Sequence, residues 1–190
     1  MRGKLHCLLL LLPLVGLFGC AGGRQSASRW SGLLGPELHA MGYRNWVVIG
    51  DAAFPSHSRR GVRTLLVDGE IPEILRGVLA SVESAQNVTP RIYLPRELRH
   101  VENNRAPGMD EYRSQLEKAL AGHPTREMEY QSLSLLLEDS ANTFSVLVLK
   151  TKTTLPYSSV FIELDSAYWD ADSEKEMRDR MKPVEEKKPG

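Results

Sequence analysis

The chain has 190 residues, of which 42% are hydrophobic and 25% charged, and its 24 lysines and arginines balance 24 aspartates and glutamates. Zero formal charge removes the electrostatic footprint of a nucleic-acid binder, and near-average apolar and charged fractions exclude wholesale disorder. Two cysteines are too few for a disulfide scaffold, and the one long apolar run lies at the extreme N-terminus, which excludes a polytopic membrane protein.

Arg2 and Lys4 open the chain, and Leu8 to Leu17 follow as an apolar stretch interrupted by Pro13 and Gly16. A positive start, a short apolar segment and small residues at its end read as an export signal. The closing Leu17-Phe18-Gly19-Cys20 resembles the lipobox of bacterial lipoproteins, with Phe18 bulkier than the usual residue. That resemblance implies cleavage before Cys20 and acylation of it. Plain secretion and an uncleaved anchor are the alternatives. Cys7 leaves with the leader, so no thiol remains for a disulfide, a nucleophile or a zinc site. Each buried acyl methylene adds about 0.8 kcal/mol of membrane affinity, so a multiply acylated Cys20 would hold firmly. Ala21 follows the cysteine; by resemblance to enterobacterial lipoproteins, the lack of Asp there implies the periplasmic face of the outer membrane.

Residues 20–29, rich in Gly, Ser and Ala, read as a flexible tether. Residues 170–190, dense in both charges, read as a disordered solvated tail, with a short helix over 173–181 the one exception. One globular domain, 30–169, lies between. Its elements alternate. Pro36 to Met41 predicts a short helix stopped by Gly42. Trp46 to Ile49 is an apolar run of strand length, and Val62 to Val67 a second, closed by Asp68-Gly69. Ile71, Ile74, Leu75, Val78, Leu79 and Val82 fall at helical spacing, with Pro72 where a helix start tolerates it. A strand at 91–94, helices at 109–121 and 131–140, and strands at 144–149 and 160–164 complete the series. The alternation predicts an α/β domain with a mixed or parallel sheet and flanking helices.

Asp51 stands at the exit of the first strand, and ligands of open α/β sheets bind at strand carboxyl ends. Its carboxylate can accept hydrogen bonds from sugar hydroxyls, although such a residue more often caps a turn. His57 lies in the same loop; a loop histidine is usually just solvated, though the residue type suits proton transfer at neutral pH. Tyr157 follows Pro156, and its ring and hydroxyl suit a sugar face or ordinary packing. Taken singly, none of these residues decides a function.

Their order is more informative. Leu34-Gly35-Pro36-Glu37-Leu38, Met41-Gly42-Tyr43, Val47 through Ser58, and Pro156-Tyr157-Ser158-Ser159-Val160-Phe161-Ile162 resemble, in that order, the D-ribose pyranase/L-fucose mutarotase (RbsD/FucU) family. The likeness spans about residues 31–164. It implies an RbsD-like single domain, a monosaccharide ligand, no cofactor, no metal, and a homo-oligomer with sites near subunit contacts. The implied reaction is acid–base opening and closing of a sugar ring, for which a group titrating near the working pH is best. The family's Met-Gly-His histidine is here Tyr43, whose ordinary pKa of about 10 makes it a donor and a poor base. The family's Tyr-x-Asn becomes Tyr157-Ser158-Ser159. The candidates are therefore Tyr43, Asp51 and His57 for catalysis, with His57 preferred to His39 as a relay, and Asp51, Tyr157 and Ser159 for the sugar. A non-catalytic sugar-binding or structural envelope lipoprotein is the alternative.

Overall fold

The computed structural model describes residues 27–181; the leader, Cys20 and residues 182–190 lie outside the described part. The elements in chain order are α1 (Ala27–Ala40), β1 (Trp46–Gly50), β2 (Val62–Leu66), α2 (Ile71–Ser84), β3 (Val88–Pro95), a 3-10 turn (Arg96–His100), α3 (Met109–Ala119), β4 (Thr125–Met128), α4 (Tyr130–Ser140), β5 (Val146–Lys150), β6 (Val160–Ser166) and α5 (Ala171–Met181). They form the expected α/β domain around one six-stranded mixed sheet, ordered β2-β5-β1-β6-β3-β4. β1 pairs parallel with β5, β5 with β2, and β3 with β4, whereas β6 runs antiparallel to both β1 and β3. Five strands thus point one way and β6 alone returns.

The two-residue period of a strand splits the apolar runs between two cores. Val47, Ile49, Leu147, Leu149, Val160 and Ile162 face the layer made by α1, α2 and α3. Trp46, Val48, Val146, Val148 and Phe161 face α4 through Leu133 and Leu137. All of β1 is buried, which explains a continuous apolar run where a half-exposed strand would alternate. In α2 the predicted stripe Ile71, Ile74, Leu75, Val78, Leu79 and Val82 is buried.

Three stretches differ from the sequence expectation. α1 opens at Ala27, inside the stretch read as tether, and continues through Pro36; buried Leu34 and Leu38 hold it one turn apart on the sheet. β4 went unread because Thr-Arg-Glu-Met has no apolar alternation; it is a charged edge strand, a composition that discourages further pairing. In the segment read as a disordered tail, residues 171–181 form α5, longer than the short helix expected there and without a buried residue. The Asp170 carboxylate accepts the Ser173 N–H at 2.7 Å, and Arg178 bonds Glu174 one turn away. Local capping and i,i+4 pairing hold this helix without a core.

Gly50 ends β1 where a Cβ would lie 2.8 Å from both Cβ and Cγ of Phe54. Gly50→Ala is expected to lose about 1–3 kcal/mol by overpacking, read as a lower urea midpoint with an unchanged slope.

Candidate functional site

The strand directions determine what meets at each edge of the sheet. Because Ile49 of β1 pairs with Val160 of the antiparallel β6, the residue leaving β1 arrives beside the residues entering β6. Asp51 and Ser159 accordingly touch, although 108 positions separate them. The Ser159 hydroxyl donates to Asp51 Oδ2 at 2.8 Å and accepts the Asp51 N–H at 3.1 Å. Asp51 Oδ1 accepts the Ala53 N–H at 2.8 Å. Asp51 is nearly buried and Ser159 fully so. A carboxylate oxygen has two acceptor directions, so one donor on each leaves the group able to accept from a ligand.

The loop between β5 and β6 forms the opposite wall. With Asp51, Ala52 and Ala53, its residues Thr154, Leu155 and Pro156 line a cavity of about 380 Å³, within the usual size range of small-molecule sites. Among the bonds that hold this loop are the Ala52 N–H to the Thr153 carbonyl at 2.8 Å, the Ser158 hydroxyl to the Leu155 carbonyl at 2.7 Å, and the Tyr112 hydroxyl to the Ser158 carbonyl. They hold Tyr157 at φ +56°, a left-handed conformation that disfavours a residue with a Cβ. The half-exposed Tyr157 ring meets Tyr130 edge-on with centroids 5.8 Å apart, and Tyr130 in turn meets Phe161 at 6.2 Å.

Tyr130 is a site residue that sequence reading missed. It opens α4, and the Glu97 carboxylate accepts its backbone N–H at 3.0 Å. No motif marks it; only the short loop after a strand hidden by its charge brings it to this edge. Burial and the nearby Asp51 raise its phenol above the ordinary range. Burial first, then Asp51 and Glu70, raise Tyr112 further. Both phenols are therefore donors at neutral pH. Glu70, just beyond β2, accepts from the Thr153 hydroxyl at 2.7 Å, and the Lys150 ammonium donates to the Phe54 carbonyl at 2.8 Å. His57 lies against Phe54 with ring centroids 6.0 Å apart, and its Nε2 is buried without a partner among the described residues.

Tyr43 lies elsewhere. It precedes β1 while Asp51 follows it, and a strand of this length spans roughly 13 Å. Tyr43 is 62% exposed and lines a different cleft, at the amino edge, with Arg44, Trp169 and Arg178. His39 is on the exposed side of α1, within reach of the Gly35 carbonyl. Among the described residues no three His, Cys, Asp or Glu side chains converge as a metal-ligand set.

Fold and site define a single α/β domain with a carboxylate, Asp51, in a cavity at the strand carboxyl ends. The chain belongs to the RbsD / FucU transport protein family, whose sequence profile matches residues 31–165. It is 28% identical over 137 residues to a D-ribose pyranase of Limosilactobacillus fermentum, covering 70% of this chain and 94% of that one. The structure of Bacillus subtilis RbsD complexed with D-ribose is 16% identical, with 68% of this chain and 89% of that one covered and a TM-score of 0.47. The fucose mutarotase of Streptococcus pneumoniae in complex with L-fucose is 20% identical, with 68% and 89% covered and a TM-score of 0.44.

Removing the Ser159 hydroxyl leaves a buried carboxylate oxygen without its donor. Ser159→Ala is expected to cost about 1–3 kcal/mol in urea unfolding. The buried phenols give a second test. Tyr112 and Tyr130 are raised above 10.0 in the fold, so the unfolded chain releases their protons first. Stability is then fully present below pH 10 and falls as pH rises beyond it; Tyr112→Phe should flatten that alkaline limb.

Proposed function

We propose that this chain is a lipid-anchored, cofactor-free isomerase that opens and closes the ring of a monosaccharide. The observation that carries the reading is the Asp51–Ser159 pair at the mouth of a ligand-sized cavity, in a chain of this family and similar to a D-ribose pyranase. Asp51 accepts from the anomeric hydroxyl and takes its proton, while the ring oxygen receives a proton from a phenol. The ring opens to the aldehyde, the C1–C2 bond rotates, and the reverse transfers close it. Tyr157 and Tyr130 offer aromatic faces to the C–H side of the sugar. Tyr43 serves as the acid only if a second copy brings it to this cavity, so the active unit is a homo-oligomer. Acylated Cys20 places the domain at the periplasmic face of the outer membrane, and loss of fatty-acid labelling in Cys20→Ser would test the anchor.

A second reading, binding without turnover, is favoured by one residue: Tyr43 occupies the place of the family's histidine. NMR exchange spectroscopy of anomeric protons separates the two, with the full chain and ribose, fucose, galactose and glucose. Exchange above buffer that falls about 10²-fold in Asp51→Asn supports turnover. Line broadening with exchange at the buffer rate for every sugar supports binding alone. Tyr43→His is expected to raise exchange, by about 10²-fold where the phenol is the weak member.

A further inference from the structure

We infer that the amino edge of the sheet carries a second binding site, a cleft for a carbohydrate chain built by the C-terminal segment beyond the family's boundary. The family profile ends at residue 165. The next residues, Ser166 to Met181, turn beside Tyr43 and continue as α5. They enclose a cleft of about 660 Å³ lined by Tyr43, Tyr168 and Trp169, with Arg44, Arg91 and Arg178 among its cations.

The segment does not stay there for a core, because α5 buries nothing. It instead presents large aromatic surfaces to solvent: Tyr168 is 80% and Trp169 45% exposed, beside Tyr43 at 62%. Its three arginines are balanced by three carboxylates, Asp165, Asp170 and Glu174, and two of the three are directly paired. Arg91 pairs with Asp165 and Glu163, Arg178 with Glu174, and Arg44 lies over the Phe144 ring at 4.7 Å. The Trp169 indole N–H donates to Glu174 at 2.7 Å, which fixes the ring plane. That bond, with Arg178, holds the Glu174 carboxyl below its ordinary range, so it remains an ionised acceptor.

A cleft with equal numbers of guanidinium and carboxylate groups offers donors and acceptors together and little net field. That composition suits neutral hydroxyls better than a phosphate or a nucleic acid, which select unpaired cations. The exposed rings suit the apolar faces of pyranose units. A chain fits better than a single sugar because Tyr168 and Trp169 also line a neighbouring groove of about 580 Å³ with Glu83, Gln86 and Thr89. Tyr168, Trp169 and α5 take no part in the Asp51 chemistry; Tyr43 alone is shared with it, so a second copy that takes up Tyr43 competes with the carbohydrate for this edge.

Isothermal titration of the full chain with cellohexaose, maltohexaose and chitohexaose tests it. Saturable binding of at least one is expected. Trp169→Ala and Tyr168→Ala should each weaken it about tenfold, truncation after Ala167 should abolish it, and Asp51→Asn should leave it unchanged. Asp51→Asn, which removes monosaccharide exchange and should leave hexasaccharide binding in place, separates failure of this site from failure of the isomerase reading. Absence of binding to all three hexasaccharides, or binding that survives the truncation, overturns the proposal.

Discussion

The reciprocal hydrogen bonds between Asp51 and Ser159 are the constraint on which the carboxyl edge depends. A carboxylate at the end of a buried parallel strand is costly unless its oxygens are bonded. The antiparallel return of β6 supplies a donor at that point, because β6 begins where its neighbours end. Had β6 run with the others, Ser159 would stand at the amino edge and Asp51 would lack that partner. One reversed strand in an otherwise codirectional sheet therefore places both groups and opens the cavity beside them.

The same edge gathers the buried polar side chains of the domain: Asp51, Thr151, Thr153, Ser158 and Ser159. Each is bonded. Thr151 donates to the Gly50 carbonyl at 3.0 Å, Thr153 to Glu70, and Ser158 to the Leu155 carbonyl. A satisfied network of this kind is rigid, since loosening one member leaves others unpaired in a low-dielectric interior. That rigidity is what holds Tyr157 in a backbone conformation that costs on the order of 1–2 kcal/mol. Strain kept in place in the loop beside the cavity fixes the Tyr157 ring against Tyr130, which a flexible loop could not do.

The fold was legible where burial writes a pattern. The stripe of α2 and the apolar runs of β1 and β5 are read directly, because one or both faces exclude water. β4 was hidden, since an edge strand needs only backbone pairing and its Arg126 and Glu127 face solvent. The start of α1 and the length of α5 were hidden for a related reason: α1 is held through Leu34 and Leu38 further along, and α5 by local pairs, where composition points to loose chain. At the site, Asp51, Tyr157 and Ser159 could be named from order along the chain. Tyr130 and Glu70 could not, since each reaches the edge through a strand-to-helix connection that leaves no local motif.

The position of Tyr43 ties the two edges together. Within one chain β1 lies between it and Asp51, so no side-chain motion in this fold joins them. A head-to-tail contact between copies would place one molecule's amino edge on the next one's carboxyl edge. Such a contact is heterologous, and it closes into a ring or continues as a filament according to its rotation. The segment from Ser166 to Met181 occupies the same amino edge as Tyr43. Any copy that presents Tyr43 to a neighbour must therefore present Tyr168, Trp169 and α5 as well. The extension, which lies outside the matched residues 31–165, is then part of the contact or a limit on it.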